Sequence, residues 1–150
     1  MSAVTKEDYF DRKWSLDHPE LGTGSVSTEP YLSEAYFELE RDAVFRRSWL
    51  NLGRIEEIPE VGNFITKDIA VCNASVIVVR AHDGTMKAFH NACRHRSNKL
   101  AWQEHGSCQS FNCKFHGWNY DLDGRLKFVP DEDRFDDLDK DSRGLIAVHV

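Results

Sequence analysis

The sequence predicts a mainly β fold, in which a small antiparallel β domain follows an irregular arm and one helix. Two hairpin patterns support this prediction, "SVIVVRA" with "TMKAFHN" and "WNYDL" with "RLKFV". The first pair is joined through Asp83-Gly84 and the second through Asp123-Gly124. Asp-Gly is typical of tight hairpin turns because glycine adopts positive φ without strain. A length of 150 residues, with 41% hydrophobic residues, fits one domain of this kind.

The N-terminal part of the chain is predicted to hold the arm and the helix. Residues 1–32 contain "HPELGTGSVSTEP", whose Gly, Ser, Thr and Pro content is typical of irregular structure. Residues 33–48 are predicted to form the helix, because Ser33 suits an N-cap and Arg46 and Arg47 suit the last turn. We expect this helix to pack in the core through one apolar stripe. The stripe consists of Tyr36, Leu39, Ala43 and Val44.

Residues 49–150 are predicted to form the β domain. Two loops lie between its predicted hairpins, one containing "CRH" and the other "CKFHGW". The final residues, "GLIAVHV", predict a further strand that leads onward. We therefore expect the domain to be incomplete at its C-terminal end.

Composition and charge disfavour several classes of function. The net charge of −6 disfavours nucleic-acid binding, which needs a basic surface. No apolar run approaches the roughly 20 residues that cross a bilayer. The N-terminus, "MSAVTKEDYF", lacks the features of a secretory signal. We expect no nucleic acid, no membrane and a cytoplasmic location, with the acidic stretch 121–141 as a solvated loop.

In the cytoplasm, cysteines are thiols or metal ligands before they are disulfides. Of the four cysteines, Cys72 follows a predicted strand and Cys108 precedes one. We expect both to be buried small apolar residues.

Four metal-binding side chains occur as two short pairs. "CRH" supplies Cys93 and His95, and "CKFHGW" supplies Cys113 and His116 after 17 intervening residues. Zinc and iron-sulfur clusters both use mixed thiolate and imidazole ligands. Zinc sites usually group like ligands within a pair, whereas each pair here has one cysteine and one histidine. This suits a two-iron cluster with two thiolates on one iron and two imidazoles on the other. A zinc site built from the same residues stays open as the alternative.

The segments "FHNACRHRSNKL" and "CKFHGWNYDLDGRL" resemble the Rieske [2Fe–2S] signature. More closely, they resemble the N-terminal domain of Rieske oxygenase α subunits, the aromatic-ring-hydroxylating family. The resemblance runs from about residue 33 to Val150 and implies a Rieske-type β domain of stacked sheets with two ligand loops. It also implies the cluster ligands and two further motif residues. These are Cys93 and Cys113 on one iron, His95 and His116 on the other, and Gly117 and Trp118 of the C-x-x-H-G-W pattern.

The resemblance also bears on the redox potential. High-potential respiratory Rieske proteins have a disulfide between the ligand loops and a serine after the last histidine. This sequence has Asn98 and Phe115 at the disulfide positions and Trp118 at the serine position. We predict the low end of the Rieske range of about −150 to +300 mV, since fewer donors stabilise the reduced cluster. Tyr120 favours a higher potential, because a tyrosine at this position can donate a hydrogen bond to a ligand sulfur. Arg96 is expected near the cluster, where its charge offsets the electron gained on reduction.

The resemblance implies the electron-entry domain of a Rieske oxygenase. Such a domain accepts electrons from a ferredoxin or flavin reductase and passes them to a mononuclear Fe(II). In the family that iron lies in a C-terminal catalytic domain, and the recipient iron belongs to a neighbouring subunit of a homo-oligomer. Nothing in these 150 residues matches its facial triad of two histidines and a carboxylate, so we name no catalytic residue. We expect this chain alone to carry electrons without activating oxygen. A free-standing Rieske ferredoxin is the alternative, but the predicted arm and helix favour the oxygenase.

Overall fold

The computed structural model describes residues 18–22 and 24–150. Of the predicted arm, residues 1–17 and Thr23 lie outside the described residues. The rest of the arm contains a 3-10 turn, Pro19–Leu21, and a short helix α1, Glu29–Leu32. These helical turns correct the irregular structure expected here. Both have a proline at their start, where its missing N–H removes no helical hydrogen bond.

The predicted helix of residues 33–48 is shorter than expected. It forms helix α2, Glu34–Ala43, followed by a 3-10 turn, Phe45–Arg47. Ser33 acts as the predicted N-cap, because its Oγ accepts the Tyr36 N–H at 3.2 Å. No helix among the described residues is long and apolar enough to cross a bilayer.

The packing of this helix on the β domain stays a prediction, because its residues up to Leu39 belong to a different unit from the strands. None of the residues of α2 is buried, and Leu39 and Val44 of the predicted stripe are 67% and 49% exposed. The clusters of buried apolar residues in the described chain begin at Ile58, so the strands and their loops build this core. The chain divides into two units, Met1–Leu39 and Glu40–Val150, and the described strands all belong to the second.

In the described part of the chain the strands form two antiparallel sheets. The first has the order β4-β1-β2-β3-β8 and the second the order β5-β6-β7. This confirms the predicted antiparallel β domain. The strands are β1 Asn63–Ile69, β2 Ala74–Arg80, β3 Met86–His90, β4 His105–Ser107, β5 Phe111–Asn112, β6 Asn119–Tyr120, β7 Leu126–Phe128 and β8 Ala147–Val148.

Both predicted hairpins are present. Strand β2 pairs with β3, and β6 pairs with β7. Gly84 and Gly124 have φ of 81° and 80° in the connecting turns, as the Asp-Gly patterns predict. The strand predicted at the end of the chain is β8, which pairs with β3.

The core lies on both faces of the first sheet. Because side chains alternate along a strand, Ile77 and Val79 of β2 enter one apolar cluster, while Val76 and Val78 enter another. The first cluster continues into the second sheet, so the two sheets are stacked across it. It includes Phe111, Tyr120 and Leu126 of the second sheet, together with Cys93 and Cys113. Both predicted cysteine ligands are therefore part of the core.

Candidate metal centre

The first ligand loop is a tight turn that starts at Cys93. Ser97 N–H donates to the Cys93 carbonyl at 2.8 Å, and Cys93 N–H donates to the Asn98 carbonyl at 2.8 Å. Ser97 closes the turn with φ of 55°, in the left-handed region that few non-glycine residues adopt. The backbone of this loop is thus fixed at both ends.

Asn91 holds the base of the same loop. Its side chain is 3% exposed, and its Oδ1 accepts the N–H groups of Leu100 and Ala101 at 3.0 and 2.9 Å. Its Nδ2 donates to the Ala101 carbonyl at 2.7 Å. A buried amide with its hydrogen bonds made in this way specifies one arrangement of the chain around it.

The second ligand loop repeats the turn at Cys113. Gly117 N–H donates to the Cys113 carbonyl at 2.9 Å, and Cys113 N–H donates to the Trp118 carbonyl at 2.8 Å. Gly117 has φ of 72°, and a Cβ on it would lie 2.9 Å from Cγ of Pro130. Glycine is therefore required here by both backbone conformation and space.

The two turns match position for position. Cys93 and Cys113 both start their turns, and Ser97 matches Gly117 at the left-handed position. The spacings C-x-H and C-x-x-H place the histidines one residue apart within this shared frame. The loops therefore present equivalent cysteines but non-equivalent histidines.

The two cysteines lie side by side in the core. Cys93 and Cys113 are free thiols, each 2% exposed, and they are close enough for each to influence the ionisation of the other. Burial raises the pKa of the Cys93 thiol. Burial acts in the same direction on Cys113, but the N–H groups of His116 and Phe115 that donate to its sulfur outweigh it and lower its pKa. These N–H groups favour the thiolate form of Cys113, the form in which sulfur binds a metal.

The two histidines form the second pair. The ring centroids of His95 and His116 are 4.6 Å apart, at an angle of 66°. Burial lowers the pKa of His95, and the neighbouring His116 and Arg96 lower it further. The ring is therefore neutral at neutral pH and has a lone pair for a metal. His95 Nδ1 is buried, and no atom among the described residues hydrogen-bonds to it. A buried nitrogen without a partner needs an explanation, and metal ligation supplies one.

These four side chains fit the donor set of a mixed-ligand iron-sulfur cluster. Such a cluster takes two thiolates on one iron and two imidazoles on the other. The structure pairs thiol with thiol and imidazole with imidazole. Among residues 18–22 and 24–150, no group of three or more His, Cys, Asp or Glu side chains is arranged to hold a single ion. The fit to a metal centre depends on the two pairs.

Comparison with known proteins identifies the family. The Rieske [2Fe-2S] domain matches residues 48–142. The chain belongs to the Rieske [2Fe-2S] domain family. It is 37% identical over 129 residues to biphenyl 2,3-dioxygenase subunit alpha of Rhodococcus jostii (strain RHA1), across 85% of this chain and 28% of that protein. It is 40% identical over 129 residues to the glycine betaine monooxygenase oxygenase subunit of Chromohalobacter salexigens, across 86% of this chain and 28% of that protein.

A solved structure shares the fold. A quaternary ammonium Rieske monooxygenase, studied for carnitine oxidation by gut microbiota and inter-subunit electron transfer, has a TM-score of 0.75 and 26% identity. The match covers 80% of this chain and 32% of that one. The Rieske domain described here is thus homologous to the electron-transfer domain of oxygenase alpha subunits, and it spans about 28% of the length of the curated relatives. The family, the Rieske fold and the [2Fe–2S] cofactor expected from the sequence are confirmed.

Aromatic rings cover the histidines of the Rieske domain unequally. Trp118 stacks on His95 with centroids 4.9 Å apart and an angle of 7°. Phe135 meets His95 and Trp118 edge-on at 6.2 and 6.1 Å. The Phe115 centroid lies 3.9 Å from that of His116, and Phe115 is 62% exposed. His95 is sheltered by buried Trp118, whereas the ring beside His116 faces the surface.

Side chains also approach both cysteine sulfurs. Tyr120 is 0% exposed, and its Oη lies 3.3 Å from Cys93 Sγ. The same Oη accepts the Arg94 N–H at 3.0 Å, which leaves the hydroxyl proton free to point at the sulfur. Burial, and then the contact with Cys93, raises the pKa of Tyr120, so the hydroxyl keeps its proton. Asn98 Nδ2 lies 3.7 Å from Cys113 Sγ.

The remaining predicted residues take varied places. Trp118 and Tyr120 contact His95 and Cys93, as described above, whereas Arg96 is exposed and acts on the His95 ring through its charge. The sequence did not reveal that Phe135 reaches the site. It lies in the acidic stretch expected to be a solvated loop, and only its isolated aromatic character was a signal.

The full burial expected for the other cysteines is wrong. Cys72 and Cys108 are only half-buried. Cys72 ends a short 3-10 turn, Ala70–Cys72, that connects β1 to β2, and Cys108 packs against the first apolar cluster after β4. Neither belongs to a ligand loop.

Proposed function

We propose that this chain is the electron-entry domain of a Rieske oxygenase. Residues 49–150 form its cluster-binding domain, preceded by the arm of residues 1–32 and the helix of residues 33–48. The observation that carries the proposal is the pairing of thiols and of imidazoles by two matched turns. The assigned ligands are Cys93 and Cys113 on one iron and His95 and His116 on the other.

The bound [2Fe–2S] cluster supplies one-electron transfer. The chain's own residues hold its thiolate end inside the core, where Cys93 and Cys113 are shielded from water. They hold its imidazole end near the surface, where the exposed ring of Phe115 lies against His116. Cys93 and Cys113 would therefore hold the cluster away from solvent, and a redox partner would approach it from the side of His116.

The electron donor is a ferredoxin or a flavin reductase with an acidic surface. We define the entry face as Arg96, Lys99, Trp102, Lys114 and Phe115. Trp102 and Phe115 are 60% and 62% exposed, and Arg96 and Lys114 are exposed with no ion pair to another described residue. Lys99 Nζ lies over the Trp102 ring at 5.9 Å and pairs with Asp68 at 3.0 Å. Exposed aromatic rings among cations suit a transient contact with an acidic protein.

The electron acceptor is a mononuclear Fe(II) in a catalytic domain of a neighbouring subunit, in a homo-oligomer. Support comes from the quaternary ammonium Rieske monooxygenase, which was studied for inter-subunit electron transfer. Four free thiols suit a reducing compartment, so we propose a cytoplasmic location.

The cluster and its ligands are tested by metal analysis and EPR spectroscopy of the dithionite-reduced chain. We expect two irons and two sulfides per chain, with the low average g-value of mixed histidine and cysteine ligation. Cys113→Ser removes the signal, whereas Cys72→Ser and Cys108→Ser are matched controls that keep it. A zinc-containing colourless protein, or equal loss in the control variants, contradicts the proposal.

The entry face is tested by reversing one charge. Lys114→Glu slows electron transfer from a reduced acidic plant-type ferredoxin by about tenfold at low salt, because complementary charge acts mainly on association. High salt removes the difference. The control is Arg54→Glu, since Arg54 is 80% exposed and lines a cavity over Ile58 and Ile65 of the other apolar cluster. Equal slowing by both variants refutes a local face.

A further inference from the structure

Asn98 contacts both ligand loops at once. Its backbone carbonyl accepts the Cys93 N–H at 2.8 Å, which closes the first turn. Its side-chain Nδ2 lies 3.7 Å from the Sγ of Cys113, which starts the second turn. One residue therefore connects the backbone at one cysteine with the sulfur of the other.

The orientation of the Asn98 amide is determined by a second contact. Nδ2 donates to the Lys99 carbonyl at 2.9 Å, and a carbonyl oxygen accepts only from an N–H group. The nitrogen, not the amide oxygen, therefore faces this carbonyl and the Cys113 sulfur. The side chain is partly buried beside the Cys113 sulfur.

We propose that Asn98 is a positioning residue that ties the two ligand loops together and raises the redox potential of the cluster. The inference rests on the proposed function, because it requires Cys113 to be an iron ligand. It goes beyond the ligand set by assigning a role to a side chain that binds no iron.

The physical basis is the charge of the reduced state. Adding one electron makes the cluster and its thiolate sulfurs more negative, and an N–H or O–H donor to sulfur stabilises that state more than the oxidised one. Tyr120 donates to Cys93 at 3.3 Å, and Asn98 donates to Cys113 at 3.7 Å. Each thiolate of the proposed pair thus has one side-chain donor. The longer contact predicts a smaller effect for Asn98 than for Tyr120.

The test replaces Asn98 by leucine, which has a similar size and no donor. Asn112→Leu is the matched control, because Asn112 is exposed, adjoins Cys113 and undergoes the same chemical change. The midpoint potential is measured by protein-film voltammetry at pH 6 and pH 8, with the electrode supplying the single electron. We expect a lower midpoint for Asn98→Leu, equally lowered at both pH values because the amide exchanges no proton. The control keeps the wild-type midpoint.

Cluster retention provides a second readout. Asn98→Leu loses iron to a chelator about tenfold faster than wild type, in line with the usual effect of removing a hydrogen-bond partner of a ligand. Asn98→Gln keeps an amide donor, so its midpoint potential and its rate of iron loss are both closer to those of wild type than the values for Asn98→Leu. If the leucine variant holds too little cluster for voltammetry, the midpoint potentials of Asn98→Gln and Asn98→Ala are compared instead. An Asn98→Gln midpoint that is no closer to wild type than the Asn98→Ala midpoint overturns the inference.

The outcomes separate this inference from the proposed function. A wild-type chain without the Rieske EPR signal overturns both. A wild-type chain with the signal, together with an unchanged midpoint and unchanged iron loss in Asn98→Leu, overturns only the role of Asn98. Equal shifts in Asn98→Leu and Asn112→Leu also overturn it, because the effect would then be one of polarity near Cys113.

Discussion

Replacing Tyr120 by phenylalanine removes a sulfur donor without removing its ring. The ring is 0% exposed and stays in the core, but the hydroxyl that contacts Cys93 Sγ at 3.3 Å and accepts the Arg94 N–H at 3.0 Å is lost. A hydrogen bond to a charged group contributes about 1.5–3 kcal/mol. We take ~1 kcal/mol of this as the part that differs between oxidised and reduced clusters, which for one electron corresponds to ~40 mV. The midpoint potential of Tyr120→Phe is therefore expected to fall by that amount.

The same substitution also affects stability. The Arg94 N–H loses its acceptor in a partly buried place, which costs about 1 kcal/mol of unfolding free energy. Voltammetry measures the potential, and urea unfolding of the cluster-bound protein measures the stability. Tyr36→Phe is the control, since Tyr36 is 37% exposed in α2. An unchanged midpoint with lowered stability would refute the donor role and leave Tyr120 as a packing residue.

Three further substitutions have expected outcomes. Gly117→Ala is expected to lower the unfolding free energy by about 1–2 kcal/mol, measured in urea, because of the positive φ and the contact with Pro130. Ser97→Gly is expected to raise the unfolding temperature by a few degrees, because Ser97 has the same positive φ in its turn that Gly117 has in the other. A lower unfolding temperature would contradict the equivalence of these two positions. Lys87→Met removes an ion pair with Asp123 and is expected to cost ~0.5 kcal/mol. The hydrogen bond to Asp123 raises the pKa of Lys87, so this cost is constant from neutral pH up to the unfolded value of about 10.4 and disappears as the pH rises through the folded pKa. If the difference in unfolding free energy between wild type and Lys87→Met instead widens above that pH, the reasoning is contradicted.

The ligand loops could be predicted because their chemistry is local. The spacings C-x-H and C-x-x-H, with the glycine after His116, specify the turn and the donors within five residues of each cysteine. The hairpins could be predicted for the same reason, since Gly84 and Gly124 determine their turns within four residues. Short-range patterns therefore predicted the fold class, which the structure confirms, and the candidate site, which stays a prediction.

The contacts that join distant parts of the chain could not be predicted. Asn98 and Cys113 are 15 residues apart in sequence, and no local pattern shows that one side chain meets the other. Phe135 reaches His95 from a stretch whose composition indicates only a solvated loop. The apolar stripe of α2 likewise shows amphipathicity but does not name the surface that the helix packs on.

The net charge of −6 does not describe the field that a redox partner meets at the site. Charges on the surface are screened over about 8 Å at physiological ionic strength. A donor on the entry face therefore responds mainly to Arg96 and Lys114, since Lys99 is already paired with Asp68. Phe135 brings the acidic stretch 131–141 against His95, at the other edge of the histidine pair. A partner that spans the histidine pair would therefore meet basic side chains at one edge and carboxylates at the other. The local arrangement of charge, more than the net charge of −6, therefore decides the orientation in which an acidic donor docks.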